Sequence, residues 1–359
     1  MMRAEVVFNH LQPLCFLPSG KLIGYKNGCV YVLNNDIVEK KLKIFNDFKE
    51  CILGRNRYIS RLLRLGVRAA IAIDDKRVLL SVSHYIVELD IEKESLSPLY
   101  DCGEGIRPLN FTNVFGLSAF DDGFYYGEYL GNPSKKPVSI CKRTEQALWE
   151  KVYTFKQGEI NHIHNLVCDT HRDCVWIFTG DFDESSAIWK ATNNFEKVEC
   201  VCSANQDYRG CVVFPLPEGL LYATDAPFMP NSLYIMDTDN YSLKKLLSID
   251  GSCIYGCQWK DWYVFSSTVE GDGRNMTTME FYFGRKRGAG IKDNNVHMYI
   301  GNLYEGFEEK YMLSKDCMPF YTFQFGVFKF PAGVNRGNSL YFQPVATSKN
   351  DLKLMKLTE

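Results

Sequence analysis

Long apolar runs are missing from this chain of 359 residues. No stretch approaches the roughly 18–20 apolar residues that a membrane helix needs. The N-terminus, Met1 to His10, has no apolar core of signal-peptide length. Neither a membrane span nor a secretory leader is expected. Charge of one sign is missing too. Lys and Arg number 41 against 43 Asp and Glu, a net charge of −2, so no global field draws the chain to nucleic acid or to an anionic membrane. The Lys-rich stretch 39–43 alternates with an apolar residue and reads as a solvated strand face. Gly-x-Gly-x-x-Gly, P-loop, Gly-x-Ser-x-Gly and His-Glu-x-x-His patterns are absent. Nucleotide, serine-hydrolase and zincin chemistry therefore have no sequence support.

Cysteine is not scarce, but its 13 copies are an odd number, scattered mostly inside strand-like runs. There a thiol behaves as a small hydrophobe. A reduced, cytoplasmic chain is expected rather than a disulfide framework. Cys253 and Cys257 form a CxxxC spacing with no second pair or nearby His, which argues against a metal half-site. Asn-x-Ser/Thr triplets at Asn110, Asn240 and Asn275 matter only in a secreted chain.

Helix signals are few. The best stretch is 45–65, and Gly54 interrupts it. Elsewhere, β-branched and aromatic runs of roughly 4–8 residues are bounded by Gly, Asn, Asp and Pro. The runs group into a repeated sentence of four strands. One copy is 67–73, 78–83, 85–90 and 96–100; the next is 113–118, 124–129, 138–143 and 150–155. Further copies cover 162–202, 211–249, 254–314 with an insertion at 271–295, and 323–357, with another near 15–45. A period of roughly 40–50 residues is that of four-stranded propeller blades. The expected fold is an all-β, single-domain β-propeller of seven blades over 1–359. The last group lacks an outer strand, and the leading strand 4–8 can supply it and close the ring. Two separate β-sandwiches are the rival, disfavoured because no Pro/Gly/Ser-rich linker divides the chain.

Polar groups recur beside these strands. Alternate residues of a strand share a face, so His162 and His164 point the same way, a pair suited to a proton relay or a metal. Asn161 and Asn165 flank them. Thr179-Gly180-Asp181 follows one hairpin later, and its acidic run through Glu184 is too short and incomplete for a Ca²⁺ loop. Gln206-Asp207-Tyr208-Arg209 precedes the next first strand, where an Arg can clamp a carboxylate and a Tyr can move a proton. Arg107 holds a similar place two blades earlier. Glu128, Asp181 and Asp225 each follow the second strand of their blade, a positional repeat in three blades.

The run 141–149, ending in Trp149, resembles the Asp-box hairpin of sialidase-like BNR-repeat propellers. The final Trp and the strand setting agree; the Asp and Gly are absent. The stretch 191–196 reads as a second remnant. The pattern of Gly127-Glu128-Tyr129, His162-Ile163-His164, Thr179-Gly180-Asp181 and 206–209 is similar to that of BNR-like propeller proteins, over about 105–237. Sialidases use an arginine triad, for which only Arg107-Pro108 stands here. Seven-bladed propeller polysaccharide lyases use His, Tyr and Arg around an acidic sugar, and His162, His164, Tyr208 and Arg209 resemble that set in type.

The resemblance implies a carbohydrate-active propeller whose partner is an acidic oligo- or polysaccharide. In a lyase, Arg209, with Arg107, would neutralise a uronate carboxylate. His164 or His162 would remove the adjacent proton and Tyr208 would protonate the leaving oxygen. In a hydrolase, Glu128 and Asp181 would be the acid/base pair. Arg107, Asn165, Gln206 and Asp225 would hold substrate. No cofactor is required; a divalent metal on His162 and His164 belongs to a third, metal-dependent reading. The alternative from another class is a non-catalytic sugar-binding or scaffold propeller.

Overall fold

The computed structural model describes residues 2–182, 185–274 and 276–358. Asp183 and Glu184 of the acidic run and Asn275 of the third Asn-x-Thr triplet lie outside the described residues.

Seven antiparallel sheets form, one for each expected blade. Blade 1 covers 12–43, blade 2 69–101, blade 3 112–155, blade 4 162–202, blade 5 210–249 and blade 6 252–314. Blade 7 takes three strands from 327–358 and its outer one, Arg3–Phe8, from the N-terminus. That strand pairs from Arg3 with Thr358 to Phe8 with Leu354. The ring is thereby closed as expected, with the N-terminal strand pairing the edge of Leu354–Thr358. In blade 2 the outer position is shared by two short strands, Ser95–Leu96 and Tyr100–Asp101.

The strand patterns follow from position. The second strand of blade 4, Cys174–Gly180, is buried at every residue, because neighbouring blades cover both its faces. The outer strand Lys197–Cys202 is largely exposed. Each of the seven blade interfaces has its own apolar cluster. Val114, Ile140 and Ile163 fill the one between blades 3 and 4, and Trp176, Phe178 and Tyr222 the one between blades 4 and 5. Burying these faces is the main favourable term in ring formation.

Three departures from the expected elements have local causes. The stretch 45–65 becomes two short helices, Phe48–Cys51 and Arg57–Leu62. Between them Asn56 caps the second by accepting from the amides of Tyr58 and Ile59. The strand expected at 113–118 is only Thr112–Val114, and the one from 323 begins at Val327, after a helical turn Phe320–Phe323. The insertion 271–295 carries a helix, Thr278–Phe283, started by a Thr277/Glu280 capping box. All thirteen cysteines are free thiols. Among the described residues no helix is long and apolar enough to cross a membrane.

One face of the ring gathers the residues singled out in the sequence. Each first strand begins where its second strand ends: His162 faces Gly180, Gly210 faces Thr224, and Ser252 faces Thr268. The first strands pack on one another around the axis. Residues at these ends therefore meet at one mouth of the central channel.

Candidate functional site

His162 and His164 converge as expected, although a bulge in the pairing at 163–165 interrupts strict alternation. Their Nε2 atoms lie 3.1 Å apart. Both reach Oδ1 of Asp181, each at 3.2 Å. The imidazoles are buried, and the Asp181 side chain is partly open at 27%. Burial opposes the charge of Asp181, but the Arg209 guanidinium and the two imidazoles hold its carboxyl well below the usual range. Burial lowers His164, with Asp181 working against it.

Arg209 joins this group to blade 5. Its Nη2 lies 3.0 Å from Asp181 Oδ1 and 3.4 Å from Asp225 Oδ2. Its Nη1 donates to the Asp181 carbonyl at 2.9 Å. Cys211 donates its thiol to Asp225 Oδ2 at 3.4 Å. Burial raises Asp225, with Arg209 opposing. Glu270 extends the acidic arc into blade 6. It is buried, accepts from the Ser252 hydroxyl, and is raised by burial and by Asp225. Glu270 falls two residues past the end of its second strand. That near-repeat of the 181 and 225 positions was the signal for it, obscured by the insertion that follows.

Gln206 supports the arrangement: its Nε2 donates to the Asp181 carbonyl at 3.1 Å and to Ser186 Oγ at 2.6 Å. Asn165 is a strut between blades rather than a ligand group. It donates to the Cys211 carbonyl at 2.9 Å and accepts from Asn110 at 2.7 Å.

Two expected catalytic residues are not brought to the mouth. Glu128 is turned outward, accepting from the Ser139 amide at 2.7 Å and lying 3.4 Å from Lys151. Its strand keeps pairing through residue 128, whose own amide donates to the Ser139 carbonyl, so its side chain faces the outer strands. Asp181 comes after pairing has ended and is free to face the axis. The Glu128/Asp181 pair is not formed. Tyr208 lies in a short 3₁₀ turn and packs into the core between blades 4 and 5. The tyrosine at the His pair is Tyr129, whose ring centroid is 4.2 Å from that of His162.

Tyr129 also links the acidic arc to a basic one. The Arg107 guanidinium lies over its ring at 5.0 Å. Arg107, Arg68, Arg64 and Lys329 crowd the other wall of the channel. Burial, then the charges of Arg107 and Arg64, bring Arg68 down to about 10. Burial, then Arg68 and Arg64, bring Lys329 down to about 8. Lys329 sits over the Tyr255 ring at 5.6 Å. Among the described residues, Arg64, Arg68, Arg107 and Lys329 form no ion pair with a carboxylate; Arg64 donates to the Tyr321 carbonyl at 2.7 Å. The nearby Glu50 already accepts from the Tyr25 hydroxyl and the Gly66 amide. A cavity of about 70 Å³ opens between Gln12, Arg68, Gln324, Lys329 and Gln343. On the other side of the mouth, Phe182, Asn205, Gln206, Phe228 and Arg274 line an open groove of about 590 Å³.

No protein-family model matches the sequence, and no curated protein does. Solved structures do resemble it. The β-propeller domain of Myceliophteria thermophila Cps50 (Swd1) superposes with a TM-score of 0.53 at 10% identity, over 99% of both chains. A chain of the mitotic checkpoint complex does so with a TM-score of 0.55 at 8% identity, over 99% of this chain and 93% of that one. The likeness is one of fold.

Proposed function

We propose that this propeller is a binding module that takes an anionic ligand, of the acidic-sugar class, at the axial mouth. The observation that carries this reading is the basic arc of Arg64, Arg68, Arg107 and Lys329. Four cations held together without carboxylate partners repel one another. That cost is recovered when an anion enters among them. In the cavity beside Arg68 and Lys329 the amides of Gln12, Gln324 and Gln343 already donate to backbone carbonyls and Glu50 is held by Tyr25 and Gly66, so the two cations are the groups that would meet a carboxylate or sulfate. The Phe182/Phe228 groove offers aromatic faces and side-chain amides of the kind that hold a sugar ring.

Binding without bond cleavage accounts for more of the geometry than hydrolysis does, because Glu128 is engaged elsewhere. A lyase remains a second reading on one observation: Tyr129 against His162 supplies the Tyr/His pair that Tyr208 does not. The test is calorimetric titration with oligogalacturonate and with its neutral reduced counterpart, with ultraviolet absorbance followed in parallel. Saturable binding of the acidic oligomer alone, with flat absorbance, is expected. Rising absorbance from an unsaturated uronate would favour the lyase. Equal or absent binding of both would sink the anion reading and leave a protein-scaffold role, the setting in which the mitotic checkpoint complex chain occurs.

A further inference from the structure

We infer that His162, His164 and Asp181 form the binding site of one divalent transition-metal ion, of the zinc type, with a coordination position open to the channel. Three ligand atoms, two imidazole Nε2 and one carboxylate Oδ1, make a nearly equilateral triangle with sides of 3.1, 3.2 and 3.2 Å. Ligands about 2.0–2.1 Å from a tetrahedral zinc ion stand roughly 3.3–3.4 Å from one another. The triangle is thus near the face such an ion would occupy.

Hydrogen positions sharpen the case. His162 Nδ1 lies 2.8 Å from the Leu130 carbonyl, which can only accept, so Nδ1 carries the hydrogen. In the neutral ring the Nε2 lone pair then points at His164 Nε2 and at Asp181 Oδ1. Among the described residues His164 Nδ1 has no hydrogen-bond partner, so without an ion its Nε2 carries the hydrogen and points it at the two acceptors, His162 Nε2 and Asp181 Oδ1; a metal ion takes the place of that hydrogen, which moves to Nδ1. A backbone carbonyl fixing the outer nitrogen of an imidazole is also how metal-bound histidines are usually oriented. Asp181 is fixed likewise: the Arg209 guanidinium pairs with its Oδ1 at 3.0 Å and donates to its carbonyl, and Gln206 donates to its carbonyl.

The donor set selects the ion. Two imidazoles and one carboxylate suit zinc, cobalt, nickel or iron, whereas calcium and magnesium take oxygen ligands. A second set, His164, Cys211 and Asp225, offers ligand atoms only within 4.8 Å of one another. The first set is tighter, and its carboxylate borders the channel.

The experiment is metal loading of the full chain. Protein stripped with chelator is incubated with Zn²⁺ or Co²⁺, desalted and assayed by mass spectrometry of the metal, with the Co²⁺ visible spectrum recorded. About one equivalent is expected, with visible bands of low-symmetry Co²⁺, and less than about 0.1 equivalent in Asp181→Asn and His164→Ala. Wild-type protein that retains less than about 0.1 equivalent overturns the inference, as does full retention by both variants. Stoichiometry and spectrum are read on the wild type, so a misfolded variant does not blunt the test. The outcome is independent of the anion reading, because no anionic ligand is added.

Discussion

The imidazole of His164 lies directly against the backbone of Gly180: a β-carbon there would stand 2.2 Å from Cε1 and 2.6 Å from Nε2. Gly180 is therefore glycine because a ring occupies the space of its side chain. Gly180→Ala should push the ring off the triangle it makes with His162 and Asp181. Overpacking of this kind costs about 1–3 kcal/mol, and metal retention should fall at least about tenfold. Gly131→Ala, where nothing lies within 4 Å, is the control and should retain both properties.

Arg61 should prove one of the most sensitive positions for stability. Its side chain is fully buried between the helix Arg57–Leu62 and the turns of blades 6 and 7. Nη1 pairs with Asp316 and, at 3.1 Å, with Asp351, while Nε donates to the Phe323 carbonyl at 2.9 Å. Arg61→Met leaves the fully buried Asp351 with only Arg57 at 3.8 Å and the Ala346 amide, while Asp316 keeps Lys315 at 3.0 Å; the cost should reach up to about 3–5 kcal/mol. Urea unfolding should register the loss. Adding Asp351→Asn to that variant should recover part of it.

Anion binding should depend on pH through Lys329. Its charge in the free protein is present below about 8 and lost above. A bound anion stabilises the charged form, so binding above that pH must first restore a proton. Affinity should be level below about pH 8 and weaken by up to tenfold per pH unit above it. Calorimetry at pH 7 and pH 9 checks this, and Lys329→Ala should remove the slope while lowering affinity at pH 7.

His297 should make stability depend on pH in the same sense. Burial opposes its charge, but Asp293 at 3.0 Å and Glu309 at 2.7 Å raise its pKa above the ordinary value. A raised folded-state pKa contributes stability that is present in full below the unfolded value, about 6.5, and is lost as pH rises through the folded one. The partner carboxylates are about two-fifths exposed, which keeps the contribution under about 1 kcal/mol. The stability difference between wild type and His297→Gln should shrink from pH 6 to pH 9 in paired unfolding curves.

Much of the ring was legible because its signals are local. Alternation and turn residues mark strands such as Cys174–Gly180, and the missing outer strand of blade 7 pointed to Arg3–Phe8. The His162, His164, Asp181, Arg209 and Asp225 group was legible too, since strand ends at one mouth repeat in sequence. Glu128 shares that sequence position but not its geometry, because pairing through residue 128 rather than ending before it reverses the side chain. Tyr208 lies in a 3₁₀ turn, where strand parity does not apply. The basic arc was hidden for another reason: Arg64 and Arg68, Arg107, and Lys329 come from three distant segments, and only ring closure brings Lys329 beside Arg68.

The measurement that tests the central claim most directly is the affinity of oligogalacturonate for wild type and for the double variant Arg68→Ala/Lys329→Ala, at pH 7 and low salt. The two cations lost from the cavity wall should weaken binding by about tenfold to a hundredfold, roughly 1.4–2.8 kcal/mol, with unfolding curves otherwise superimposable. An affinity equal to wild type in a folded double variant would contradict an anion site at this mouth.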